Sequence, residues 1–180
     1  MRVTPTSLPD VLSIEPGVFE DARGFFFESW NRRAFLDAGI DADFVQDNHS
    51  RSRRGVLRGL HYQIEHAQGK LVRVIAGEIF DVAVDLRRSS PTFGRHVAMR
   101  LSADDRRMLF IPPGFAHGFL VVSEFAEFLY KTTDYWYPAH ERTLLWNDPA
   151  LGIAWPGGIE PALAAKDAAG VPLAAADVFR

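Results

Sequence analysis

Short apolar runs of strand length dominate the middle of the chain. VLSIEP (11–16), KLVRVIAG (70–77), EIFDVAVDL (78–86), HVAMRLS (96–102), RMLFIP (107–112) and HGFLVVS (117–123) are rich in Val, Ile, Leu and Phe and are punctuated by Gly, Pro, Ser and Asp. That spacing predicts a sandwich or barrel of many short strands. In EIFDVAVDL the series Phe80, Val82, Val84, Leu86 alternates with Asp81 and Asp85, with Glu78 one step ahead of Ile79. One dry face and one face carrying polar groups are predicted, hence an all-β fold that encloses a cavity. A helical pattern is confined to residues 31–38, with Asn31 as N-cap and Gly39 as the stop after it. After Trp155 the composition shifts to Gly, Ala and Pro, and residues 157–180 read as a tail wrapping the domain. No internal repeat is present, so residues 1–180 are expected to form one domain.

Composition narrows the class. Hydrophobic residues make up 47% of the 180, with 14 Phe and 4 Trp, which supplies a core and excludes a disordered chain. Twenty Lys and Arg against 23 Asp and Glu leave a net charge of −3. Neither nucleic acid nor a membrane surface is an expected partner, and any anion must be caught by a local cluster. Arginine dominates the basic residues, 17 to 3 over lysine, and its planar fork suits phosphate. The absence of cysteine excludes disulfides, thiolate nucleophiles and Cys-ligated metals. MRVTPTSLPD carries no basic segment followed by an apolar one, and no apolar run approaches membrane-spanning length, so cytoplasm is the expected location.

The densest polar cluster is QDNHSRSRRGVLRGLHYQ (46–63). One reading is a solvated hairpin turning at SRSRRG. The other is a site for a polyanion and a sugar, in which Arg58 forks a phosphate, Gln46 and Asn48 add directional hydrogen bonds, and His61 is a base. A simple period of two puts Arg58 and His61 on opposite faces, so a shared site requires a bulge. His61 and His117 raise the question of a metal. Metal sites on small β-barrels take two histidines two residues apart, an acid, and a later histidine; PPGFAH (112–117) supplies the last, placed at a strand start. Gln63 stands where the second histidine is needed, and a neutral amide is a poor ligand, while Glu65 and His66 have the wrong spacing. A metal-free site with His61 as base is expected. Lys70 is either a snorkelling surface lysine or a compact cation facing an enolate oxygen. Tyr130, in EFAEFLYKTTDYWYP, is either a core tyrosine or a proton donor. Tyr135, Trp136 and Tyr137 offer a flat surface for a base ring, or simply packing. In DARGFFFES, Arg23 and Glu28 flank three phenylalanines, which implies that this segment is covered, for instance by a partner subunit.

Taken in order, these motifs resemble one family, the dTDP-4-dehydrorhamnose 3,5-epimerases of the cupin superfamily. The resemblance runs from DARGFFFES through QDNHSRSRRGVLRGLHYQ, QGKLVRVIAGEIFDVAVDLRRSSPTFG, FIPPGFAHGFLV and YKTTDYWYPAHE to LWNDPALGIAWP and AAKD. It implies a jelly-roll β-barrel with a short helix and a C-terminal extension. It further implies a homodimer with exchanged N-terminal strands, no metal or other cofactor, and a dTDP-linked 4-keto-6-deoxyhexose as substrate. His61 would be the base, Tyr130 the acid on the opposite face, and Asp167 the group that orients His61. Lys70 and His117 would line the sugar pocket around the keto oxygen. Arg58, Gln46, Asp47 and Asn48 match the family's nucleotide-binding positions, as do Arg23, Glu28, Glu141 and Lys166, with Arg23 and Glu28 serving the neighbour's site. The chain departs from the family at Trp136, where tyrosine usually stacks on thymine, and at Ala164-Ala165, where a serine commonly precedes the Lys-Asp pair with one residue between. The alternatives are a single-position epimerase or ketoisomerase of the same fold, a non-catalytic sugar-binding cupin, and a metal-dependent oxygenase.

Overall fold

Each of the six apolar runs forms a strand in the computed structural model, which describes residues 1–180. The strands are β1 (Arg2–Pro5), β2 (Leu12–Glu15), β3 (Phe19–Asp21), β4 (Gly24–Phe26), β5 (Gln46–Arg53), β6 (Val56–Gln63), β7 (Lys70–Ala76), β8 (Glu78–Asp85), β9 (His96–Ser102), β10 (Met108–Ile111), β11 (Phe115–Val121), β12 (Phe125–Thr132), β13 (Glu141–Thr143) and β14 (Ala162–Leu163). Two short helices, α1 (Arg32–Asp37) and α2 (Ala165–Ala168), complete the regular structure with two 3₁₀ turns. Asn31 caps α1, its side chain accepting from Ala34 N at 3.2 Å, and Gly39 ends it with φ +86°.

Twelve of the strands form two facing sheets, ordered β1-β2-β10-β7-β12-β5 and β13-β6-β11-β8-β9, with β14 pairing alongside β6, while β3 and β4 pair as a separate two-stranded ribbon. This is the cupin-type jelly roll expected from the sequence. Its interior is a continuous apolar cluster drawn from both sheets, including Val72, Leu109 and Phe128 from one and Ile79, Phe115 and Phe119 from the other. Phe119 and Phe128 meet across the gap with ring centroids 4.5 Å apart. Full burial of each such ring contributes about 3 kcal/mol.

Each sheet is also covered on its outer face. Phe35, Ile40 and Ala42, from α1 and the segment after it, pack with Leu71 and Met108 on the first sheet. Trp155 and the tail residues Leu173 and Phe179 pack against Phe80, Val82, Val84 and Leu86 on the second. Alternation in β8 thus sets its two faces against different surroundings. The dry series faces the tail, whereas Asp81 and Asp85 point inward with Ile79 and Ala83 and are fully buried. Asp85 accepts from Arg87, Ser90 and Thr92. Burial alone would raise its carboxyl, but these donors prevail and bring it down to about 2.

The hairpin reading of 46–63 gives way to a corner. β5 pairs with β12 in the first sheet and β6 with β11 in the second, so the chain crosses between sheets at Arg54-Gly55. β11 begins at Phe115, which places His117 inside the strand rather than at its start. Opposite it, β6 is irregular: His117 pairs with His61 but Phe119 pairs with Arg58, so two residues of β6 oppose one of β11. This bulge turns Arg58 and His61 to the same face. It depends on a pair of glycines. A Cβ on Gly59 (φ +129°) would lie 2.5 Å from Gly118 Cα, and one on Gly118 would lie 2.5 Å from Arg58 O.

Gly118→Ala is expected to destabilise the protein by about 1–3 kcal/mol, because the nearest obstructions, Arg58 O and Gly59 Cα, are main-chain atoms that cannot move aside as a side chain could. Urea denaturation measures this, and an unchanged midpoint would show that the strands do not need so close a crossing.

Candidate active site

One mouth of the barrel opens into a cavity of about 370 Å³ whose two walls follow strand register. On the first wall, β5, β12 and β7 set Gln46, Thr132 and Lys70 in one row and Asn48, Tyr130 and Val72 in the next. On the second wall, β6, β11 and β8 align His61, His117 and Ala83, then Arg58, Phe119 and Asp81. The tail adds Lys166 and Asp167 from α2, β13 adds Glu141, and the loop after β12 adds Trp136.

His61 Nε2 lies 2.5 Å from Asp167 Oδ1, and Asp167 is 2% exposed. A carboxylate only accepts, so Nε2 carries the hydrogen and the Nδ1 lone pair is the free basic site. His117 is held likewise, its Nε2 lying 2.9 and 3.0 Å from the two oxygens of buried Asp81. Lys70 starts on the first wall and reaches the second, donating to His61 O at 3.3 Å. Burial brings its ammonium down to about 8 from the ordinary 10.5, against the pull of Glu141 and Asp81. Burial also raises the Tyr130 phenol; Glu141 acts in the same sense and Arg58 opposes it. Tyr130 therefore keeps its proton at neutral pH and can donate it.

The remaining groups suit an anion and a ring. Arg58 Nε donates to Ser52 Oγ at 3.0 Å, which steers the guanidinium and leaves its terminal nitrogens free. Gln46 donates to Asn48 Oδ1 at 2.9 Å, while buried Asn48 Nδ2 has no partner and is available to a ligand. Lys166 pairs with Glu141 at 3.0 and 3.1 Å. The Trp136 side chain stands at the rim, 56% exposed.

Three expected residues are not brought here. Asp47 alternates with Gln46 and Asn48, so the pleat turns it to the opposite face, where it accepts from Lys131 at 2.7 Å. Arg23 lies on the β3–β4 ribbon, pairs with Asp21 and is outside the cavity, as is Glu28, which accepts from Asn31. Sequence reasoning missed Asp81 as the partner of His117. The signal was an acid within an apolar strand, on the face expected to carry polar groups. It also missed Gln63 as a structural clamp: its amide is engaged by the backbone at both ends, to His66 O, Tyr135 O and Tyr137 N. No group of three or more His, Asp or Glu side chains is disposed to hold a metal.

A base on one wall, an acid on the other and a cation between them can remove a proton from one side of a carbon and return it on the other. Comparison with known proteins shows what the chain is similar to. The family model for dTDP-4-dehydrorhamnose 3,5-epimerase matches residues 5–175. A dTDP-4-dehydrorhamnose 3,5-epimerase of Pseudomonas aeruginosa is 63% identical over 180 residues, covering 99% of each chain. The crystal structure of a dTDP-6-deoxy-D-glucose-3,5-epimerase from Legionella pneumophila, in complex with dTDP-4-keto-L-rhamnose, superposes with a TM-score of 0.97 at 49% identity, covering 99% of this chain and 97% of that one. A 3′-monoepimerase from Streptomyces bikiniensis, in complex with dTDP-quinovose, gives 0.89 at 36% identity, covering 94% and 87%.

Lys70 carries a consequence for stability. Its folded value of about 8 lies below the ordinary 10.5, so the unfolded chain holds that proton more tightly. The penalty, about 3 kcal/mol, is fully present below pH 8 and fades as pH rises toward 10.5. Lys70→Met is expected to unfold at higher urea than the parent at pH 7, with the difference shrinking by pH 10. A pH-independent difference would mean that the amine titrates normally.

Proposed function

The chain belongs to the dTDP-4-dehydrorhamnose 3,5-epimerase family, and from that premise we propose that it converts dTDP-4-dehydro-6-deoxy-D-glucose to dTDP-4-dehydro-L-rhamnose by inverting C3 and C5. The observation that carries this reading is the placement of the His61–Asp167 pair on one wall and Tyr130 on the other. The C4 ketone acidifies the hydrogens on C3 and C5. His61 Nδ1 takes one of them, the electron pair moves onto the C4 oxygen, and the Lys70 ammonium, with His117 beside it, stabilises the enolate. Tyr130 then delivers a proton to the carbon from the opposite side, and exchange with solvent resets both groups. Arg58 holds the diphosphate, Gln46 and Asn48 add directional bonds, and Trp136 stacks on the base. Binding energy remote from the reacting carbons thereby positions the sugar.

The protein is further proposed to act as a homodimer in the cytoplasm. Phe19, Phe25 and Phe26 on the β3–β4 ribbon are 71%, 58% and 67% exposed, which supports coverage by a second copy. Arg23 and Glu28 on this segment would then serve the neighbour's cavity. No helix is long and apolar enough to cross a membrane. No cofactor enters the scheme, so chelator is expected to leave turnover unchanged. The likeness to a monoepimerase keeps inversion at one centre as the second reading.

Incubation with dTDP-4-keto-6-deoxyglucose in D₂O separates these roles. Deuterium is expected at both C3 and C5, and incorporation at one alone would select the second reading. His61→Asn should abolish exchange and inversion together, a loss of roughly 10² to 10⁴ in rate. With Tyr130→Phe the enolate still forms and is reprotonated from the original face, so exchange should outlast inversion. Near-normal exchange in His61→Asn would assign the base elsewhere. Sedimentation as a monomer at micromolar concentration would remove Arg23 and Glu28 from the site.

A further inference from the structure

Between the end of β12 at Thr132 and the 3₁₀ turn beginning at Pro138, residues 134–137 have no strand partner. Three glutamine side chains meet their backbone groups instead. Gln68 donates to Asp134 O and Tyr135 O at 2.9 and 3.1 Å, and Gln46 Oε1 accepts from Trp136 N at 3.3 Å. Gln63, only 3% exposed, does more: its Nε2 donates to Tyr135 O at 3.2 Å and its Oε1 accepts from Tyr137 N at 2.8 Å. It grips the residues on either side of Trp136 as a neighbouring strand would. The indole itself has no aromatic partner in the chain, whereas Tyr137 stacks on His66 with ring centroids 4.0 Å apart. The direction of the Trp136 ring thus depends on the backbone behind it.

The geometry points to Gln63 as a positioning residue that presets Trp136 as a platform for the flat pyrimidine base of a nucleoside diphosphate. This rests on the proposed function, since it takes Trp136 as the stacking group. An ordered loop spares the ligand the cost of fixing it on binding. The chemistry also explains an amide at this position. Glutamate would set a second acceptor against the carbonyls of Tyr135 and His66, whereas glutamine donates to both and still accepts from Tyr137.

The test is calorimetric titration of dTDP, and separately of inorganic pyrophosphate, into the full-length protein and its Gln63→Met, Trp136→Ala and doubly substituted variants. Trp136→Ala is expected to weaken dTDP roughly 10- to 100-fold, the range of base–aromatic stacking. Gln63→Met should weaken it about 5-fold, disturb pyrophosphate less, and raise KM more than it lowers kcat. In the Trp136→Ala background it should add almost nothing, because the group it positions is gone. An equal loss in both backgrounds, an equal loss for pyrophosphate, or no loss beside a weakened Trp136→Ala would overturn the inference while leaving the stacking reading intact. Undiminished dTDP affinity in Trp136→Ala would overturn both. If Gln63→Met fails to fold, Gln68→Met removes the other donor to Tyr135 O and is held to the same outcomes.

Discussion

Two backbones can approach as closely as β6 and β11 do at Gly59 and Gly118 only when neither residue carries a Cβ. That crossing absorbs an extra residue and resets the phase of β6. Upstream of it Arg58 faces the cavity; downstream, His61 and Gln63 do. Without the slip, strict alternation would leave Arg58 on the opposite face from His61. The site therefore rests on a steric exclusion between main chains, and the polar chemistry is arranged around it.

Charge within the cavity is divided by role. His61 and His117 each have a buried carboxylate at Nε2, and Lys166 has Glu141. Arg58 and Lys70 have no carboxylate within hydrogen-bonding distance; their partners are a serine hydroxyl and a backbone carbonyl. In the proposed mechanism Arg58 answers a charge that the bound diphosphate carries throughout. Lys70 answers one that exists only while the enolate lasts, and an interaction of that second kind is the one that accelerates chemistry. Burial weakens the hold of Lys70 on its proton but also removes the water that would screen it.

Much of the strand pattern was legible because β-structure writes itself into short apolar runs, and α1 because Asn31 and Gly39 mark its ends. The pairing of those strands was not. The 46–63 segment looks like a hairpin locally, and only β12 and β11, far along the chain, draw its halves into different sheets. The orientation of β8 was hidden for a similar reason. Nothing within 78–86 reveals that Trp155, Leu173 and Phe179 will cover its dry face and leave Asp81 inside. For the site, residue chemistry singled out His61, Tyr130 and Lys70 and family likeness added Asp167, and the structure gathers the four in one cavity. Asp47 was grouped with Gln46 and Asn48 by family likeness, where the pleat separates it.

The proposed mechanism mounts the base and the acid on separate sheets, and that makes them separable in evolution. β6 governs whether a proton can leave a carbon, since it carries His61 and meets the tail that brings Asp167. β12 governs the side from which a proton comes back, and its register is fixed by β5 and β7. A substitution on one strand can alter the stereochemical outcome while the other retains its function. Gene duplication followed by drift on a single wall is thus a short route from one product sugar to another, with no need to rebuild the barrel between them.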